Sequence, residues 1–159
     1  MELSFTADEL EQIKEIQKKY PQKEASIMPV LWFAQKKFGW ISKDLIIYIS
    51  QILNVSPSKV EGVVTFYTMF FKKPMGRYHI QVCTNVSCML NKGVELYKYI
   101  SNKLGIENMQ VTEDGRFSLE EVECLGACGK APIVAINENY YENMTIEKID
   151  MILLSLYEN

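Results

Sequence analysis

Residues 78–88 read Tyr78-His79-Ile80-Gln81-Val82-Cys83-Thr84-Asn85-Val86-Ser87-Cys88. Tyr78, Ile80 and Val82 alternate with His79 and Gln81, the two-residue period of a half-buried strand. Cys83 ends that strand, and four residues separate it from Cys88. A helix is expected next, from about Cys88–Asn91 to Leu104, with Gly105 as the residue past its end. Alternation returns at Phe117 and Leu119, with one slip in phase before Val122 and Cys124. A short apolar strand follows over Ile133–Ile136, then the turn Asn137-Glu138-Asn139 and a possible last strand at Tyr140-Tyr141. Thr145 caps a final helix carrying Ile146, Ile149, Ile152, Leu153 and Leu156. Strand, helix, strands and helix in so short a span predict a small α/β domain.

Upstream of the basic, Pro/Gly-marked linker Lys72-Lys73-Pro74-Met75-Gly76 the period changes to that of helices. Thr6-Ala7-Asp8-Glu9 is a capping box, with Phe5 and Leu10 placed as its hydrophobic staple. A second helix is expected from about Met28-Pro29 to Gly39, and a third opens at Ser42-Lys43-Asp44. Ser56-Pro57 opens a fourth, in which Val60, Val63, Val64 and Tyr67 form the buried stripe. The chain therefore reads as α+β, with a helical bundle over 1–73 and the second domain over 74–159.

The 159 residues are 48% hydrophobic and 23% charged, a globular composition, with a net charge of −3. Scattered lysines form no stripe that would track phosphates, so no nucleic-acid partner is expected. The start carries acids where a signal peptide needs basic and then apolar residues, and no apolar run approaches the ~18–20 residues of a membrane span. A cytoplasmic protein is expected, attached to a membrane only indirectly through other subunits.

Four cysteines without a secretory signal point to a metal or redox site rather than to disulfides. Their spacing is Cys83-x4-Cys88, thirty-five residues, then Cys124-x3-Cys128. Each pair follows a strand, so strands adjacent in one sheet would bring the two loops to one edge. Two pairs of thiolates suit a 2Fe–2S cluster, which takes four. The small stretch Leu125-Gly126-Ala127-Cys128-Gly129 lets backbone N–H groups approach its sulfides. Four buried core cysteines and a structural zinc site are the rival readings, although zinc loops commonly use the closer C-x2-C pair. The spacing excludes a thioredoxin-type dithiol and a plant-type ferredoxin. The chain has no G-x-G-x-x-G and no P-loop for a nucleotide. His79, the single histidine, has no acid or nucleophile pattern beside it and is expected to be structural, and no catalytic residue is assigned. Glu120, Glu121 and Glu123 read as a solvated strand face. Phe66, Tyr67, Met69, Phe70 and Phe71 read first as helical core and second as a docking surface.

The segments Cys83-Thr84-Asn85-Val86-Ser87-Cys88, Glu123-Cys124-Leu125-Gly126-Ala127-Cys128 and Ala131-Pro132, with Gly62-Val63-Val64-Thr65-Phe66-Tyr67 and Gly39-Trp40-Ile41 upstream, resemble a known family. It is that of the 24-kDa-type 2Fe–2S subunit of NADH:quinone oxidoreductase (respiratory complex I), shared with NAD-linked hydrogenases and formate dehydrogenases. The resemblance implies a thioredoxin-like ferredoxin domain behind the helical region and one 2Fe–2S cluster on Cys83, Cys88, Cys124 and Cys128. It also implies a partner subunit that holds FMN, binds NADH and carries a 4Fe–4S cluster, and it implies single-electron exchange with that flavin. The parent complex, whether complex I, hydrogenase or formate dehydrogenase, stays open at this level.

Overall fold

The structure is a computed structural model and describes residues 3–158. The chain divides into two compact units, Met1–Pro74 and Met75–Asn159.

The first unit is helical: α1 (Ala7–Lys18), α2 (Ile27–Phe38, preceded by a 3-10 turn over Lys23–Ser26), α3 (Lys43–Leu53) and α4 (Pro57–Phe66). Thr6 accepts from the Glu9 backbone N–H and donates its own N–H to the Glu9 carboxylate at 2.7 Å, closing the capping box. Thr6→Ala is expected to cost about 1 kcal/mol of stability, read as a lower thermal midpoint of the helical signal. Phe5 is buried and stacks on Tyr48, with ring centroids 5.6 Å apart. Ile13, Val30, Leu31, Ala34, Leu45, Ile49, Leu53, Val60 and Val64 fill the core. The segment after α4 is tied back by Gln35, whose side chain donates to the Met69 carbonyl at 2.8 Å and accepts from the Phe71 N–H at 2.7 Å. That clamp drives Phe70 into the core. It also splits the aromatic stretch, because Phe66, at 77% exposure, and Tyr67 and Met69 remain on the surface. Tyr67 is thus not part of a buried helical stripe. It is the residue past the end of α4, in extended conformation.

The second unit is a five-stranded sheet in the order β2-β3-β1-β4-β5, built from β1 (Tyr78–Cys83), β2 (Gln110–Val111), β3 (Phe117–Val122), β4 (Val134–Ile136) and β5 (Asn139–Tyr141). The helices are α5 (Val86–Leu90), α6 (Gly93–Leu104) and α7 (Ile146–Tyr157). β1 and β3 run parallel, and the other pairs are antiparallel. Successive side chains on a strand point to opposite faces. Ile80 and Val82 of β1 and Phe117 and Leu119 of β3 meet Leu96 and Ile100 of α6 and Ile149 and Leu153 of α7 in one core. His79, Gln81 and Cys83 share the other face with Ser118, Glu120 and Val122.

The register explains the slip in the alternation of β3. Val122 stands directly opposite Cys83 and packs with Cys83, Cys88 and Ile133, so the apolar positions change face where the strand reaches the cysteines. The helix expected from Cys88–Asn91 to Leu104 is two helices, α5 and α6, broken at Lys92 in left-handed backbone.

Candidate metal centre

Because β1 and β3 are parallel and adjacent, the chain leaves both at the same edge of the sheet. Cys83 is the last residue of β1, and Cys124 lies two residues past the end of β3. Cys88 sits inside α5, which Asn85 caps by accepting from the Val86 N–H at 2.7 Å. Cys128 opens a 3-10 turn that reaches Lys130. All four thiols are free. Cys83 and Cys88 are buried, whereas Cys124 and Cys128 are exposed.

The two loops are stitched together. The Thr84 N–H donates to the Val122 carbonyl at 3.2 Å and the Cys83 N–H to the Ile133 carbonyl at 3.2 Å. The Cys83 thiol reaches the Glu123 carbonyl at 3.8 Å, and Ser87 Oγ donates to the Cys128 carbonyl at 2.9 Å. Cys124 Sγ accepts from the Gly126 N–H at 3.3 Å, a contact that the left-handed backbone of Gly126, φ +76°, makes possible. Burial first, and then the neighbouring Cys83 thiol, push the Cys88 thiol up to about 11, with the charge of Cys128 adding to the rise. Cys88 thus keeps its proton in the metal-free chain, and a bound metal must displace it. Among the described residues no three of His, Cys, Asp and Glu stand close enough to hold a metal ion as the side chains are oriented. The structure therefore brings Cys83 and Cys88 together and places Cys124 and Cys128 on the facing loop. The donor set fits an iron–sulfur group: two soft thiol pairs on adjoining loops, with backbone N–H groups beside the sulfurs.

Residues 13–157 match the family described as thioredoxin-like 2Fe-2S ferredoxin. The chain belongs to that family. This thioredoxin-like ferredoxin is 44% identical over 153 residues to an NADH-quinone oxidoreductase subunit of Rickettsia bellii, covering 94% of this chain and 92% of the relative. It is 42% identical to the subunit of the same name from Rickettsia felis, over 100% of this chain and 98% of the relative. Among solved structures it superposes on an NAD+-reducing NiFe-hydrogenase with a TM-score of 0.73 at 20% identity, over 83% of this chain and 23% of that one. The last likeness is one of fold. The α+β class and the thioredoxin-like assignment accord with these matches.

Lys130 pairs with Glu142 at 3.5 Å on the surface. The Ala131–Pro132 bond is cis. Leu90, at 75% exposure, stands with Val86 and Met89 as apolar surface on α5. Reading the three glutamates together as a solvated face missed Glu120, which is half-buried and accepts from His79 Nε2 at 2.9 Å and Gln81 Nε2 at 2.8 Å. The signal for it was alternation: Ser118 and Glu120 share a strand face, as do His79 and Gln81.

No described helix is long and apolar enough to cross a membrane.

Proposed function

We propose that Cys83, Cys88, Cys124 and Cys128 hold one 2Fe–2S cluster, and that the chain is the electron-transfer subunit of an NADH:quinone oxidoreductase. The observation that carries the reading is the parallel pairing of β1 with β3, which delivers both cysteine loops to one edge in a chain of this family. The relatives at 42–44% identity over nearly the whole chain, each named as a subunit of that oxidoreductase, favour this parent over a hydrogenase or a formate dehydrogenase.

When bound, the cluster accepts and donates one electron at a time, whereas a hydride carries two to a flavin. The protein's own part is positional. Cys83 and Cys88 lie under Val122 and Ile133, which exclude water from one side of the site, while Cys124 and Cys128 face outward. The outward pair is the side from which an electron can be exchanged with a partner. That partner is a flavin- and 4Fe–4S-bearing subunit that binds NADH, and the assembly lies at the membrane only through its other subunits.

The test is anaerobic reconstitution of the full chain with iron and sulfide. The expected product is red-brown, bleaches with dithionite, contains iron and acid-labile sulfide in equal amounts, and does not oxidise NADH by itself. A colourless protein, or one that retains zinc in preference to iron, would overturn the reading.

A further inference from the structure

The loop over residues 123–131 is anchored at both ends. Where it leaves β3, the Thr84 N–H donates to the Val122 carbonyl and the Cys83 thiol to the Glu123 carbonyl. At its far end the Asn143 N–H donates to the Lys130 carbonyl at 2.7 Å and the Met144 N–H to the Pro132 carbonyl at 3.0 Å. Between these anchors the loop lies across the buried pair, with Leu125, Ala127 and Ala131 packed on Cys83, Cys88 and Ile133. Cys88 is 2% exposed there. Among the described residues one hydrogen bond crosses from α5 to the middle of this loop: Ser87 Oγ donates to the Cys128 carbonyl at 2.9 Å.

We infer that Ser87 is a positioning residue, whose hydroxyl latches the loop 123–131 over Cys83 and Cys88 and so fixes the Cys128 thiol for the metal. The inference rests on the proposed 2Fe–2S reading of the four thiols and adds to it the residue that closes the site.

The donor of the latch is held firmly. Asn85 fixes the start of α5, its side chain accepting from the Val86 N–H at 2.7 Å and its carbonyl from the Met89 N–H at 2.7 Å. From beyond the helix the Asn91 side chain donates to the Ser87 carbonyl at 2.8 Å. The acceptor is held loosely. A Cβ built at Gly126 or at Gly129 meets open space, so the chain is unpacked on both sides of Cys128. Ala127 and Ala131 offer the core only one methyl group each, and burial of so little apolar surface contributes little.

The carbonyl carbon and the Cβ of Cys128 share one Cα. A carbonyl pinned to α5 therefore leaves the thiol little freedom beyond rotation about its own Cα–Cβ bond. Ser87 immediately precedes Cys88, so the latch couples the second thiol of one pair to the second thiol of the other. A hydrogen bond of this kind shifts an equilibrium by a net factor of about five, so its loss should raise the open population of the loop by about that factor. A buried thiol meets a reagent from solvent through such local opening, and its rate follows the open population.

The test compares Ser87→Ala, which removes the hydroxyl while alanine remains the better helix former, with Ser87→Thr, which keeps the hydroxyl. The metal-free full chain is treated with iodoacetamide, and the initial rate at each cysteine is read by peptide mass mapping. In the wild type Cys124 and Cys128 react fast and the buried pair slowly. Ser87→Ala is expected to speed the reaction of Cys83 and Cys88 about fivefold while Cys124, exposed from the start, keeps its rate. After anaerobic reconstitution, its visible absorption should bleach about fivefold faster in a ferrous-iron chelator. Ser87→Thr restores the wild-type rates in both measurements.

Wild-type rates at Cys83 and Cys88 in the Ser87→Ala chain overturn the inference, as does a Ser87→Thr chain that behaves like Ser87→Ala. Acceleration accompanied by loss of the helical signal overturns it too, because Ser87 then serves the fold rather than the loop. A chain that takes up no cluster overturns the 2Fe–2S reading, while the alkylation series, run without metal, still decides whether Ser87 holds the loop.

Discussion

Gly93→Ala is expected to destabilise the ferredoxin unit by about 2 kcal/mol, although alanine is the better helix former. A Cβ at Gly93, built on the backbone as it stands, meets the Cys83 carbonyl oxygen at 2.7 Å, the Cys88 carbonyl oxygen at 2.8 Å and the Cys88 carbonyl carbon at 3.0 Å. All three are backbone atoms of the two buried cysteines, so no side chain can swing away to make room. Either the start of α6 lifts off or the Cys83–Cys88 loop deforms, and both routes disturb the proposed metal centre. By helix propensity alone the substitution would gain stability, less at this first helical position than the about 1 kcal/mol of a helix interior, so the sign of the result separates the two effects. Overpacking of this kind typically costs about 1–3 kcal/mol, and 2 kcal/mol corresponds to roughly 10 °C in the midpoint of a domain this size. Thermal unfolding of the purified variant, with visible absorption after reconstitution, gives both numbers. A midpoint equal to or above wild type with full cluster absorption would show that the close approach carries no weight.

The same glycine illustrates what was legible in the sequence. Caps and periods are local, so Thr6-Glu9, Ser42, Ser56-Pro57 and Thr145 announced helix starts, and the Tyr78–Cys83 alternation announced the strand. Each of these signals depends on residues within one turn or one pleat of one another. The break between α5 and α6 was not announced. Apolar residues stop at Leu90 and resume at Val94 on either side of Asn91-Lys92-Gly93, a gap short enough to pass for the polar face of one helix, and Gly93 makes a close contact with the chain ten residues upstream. β2 is only two residues long, Gln110–Val111, too short to display a period.

The candidate metal centre divides in the same way. Cysteine spacing singled out the four thiols as candidates because thiol chemistry is specific to the residue type. That their two loops leave the sheet at one edge depends on β1 and β3 being parallel neighbours, a property of sheet order that no window of sequence contains. His79 and Glu120 are forty-one residues apart and meet only through that register. Read one residue at a time, each was bland: a lone histidine and one of three glutamates. Read by strand face, they fall on one line with Cys83. The aromatic run at residues 66–71 failed for the opposite reason. Its composition suggested a single fate, but the Gln35 clamp reverses the chain there and sends Phe70 inward while Phe66, Tyr67 and Met69 stay out.

Replacing any one of Cys83, Cys88, Cys124 and Cys128 by Ala is expected to reduce the visible absorption and the dithionite-induced EPR signal of the reconstituted chain to background. The four positions reach that result by different routes, and the differences make the series informative. Cys83 and Cys88 are buried against Val122 and Ile133, so their loss also removes packing, and the apo proteins should lose about 1 kcal/mol each. Cys124 and Cys128 are exposed, so their alanine variants should unfold at the wild-type midpoint as apo proteins while failing to retain a cluster. Losing a ligand on the exposed side leaves iron open to water and to chelators, and the flanking side chains offer no replacement thiolate. Serine in place of Cys124 keeps an oxygen donor of similar size and should give a short-lived species with an altered EPR line shape. Cys124 is the decisive position, because its thiol is exposed and its hydrogen bond to the Gly126 N–H is local. Wild-type absorption in Cys124→Ala would mean a cluster held by a chain with three cysteines and no fourth thiol to offer. The two-loop arrangement on which the cluster assignment depends would then have to be abandoned.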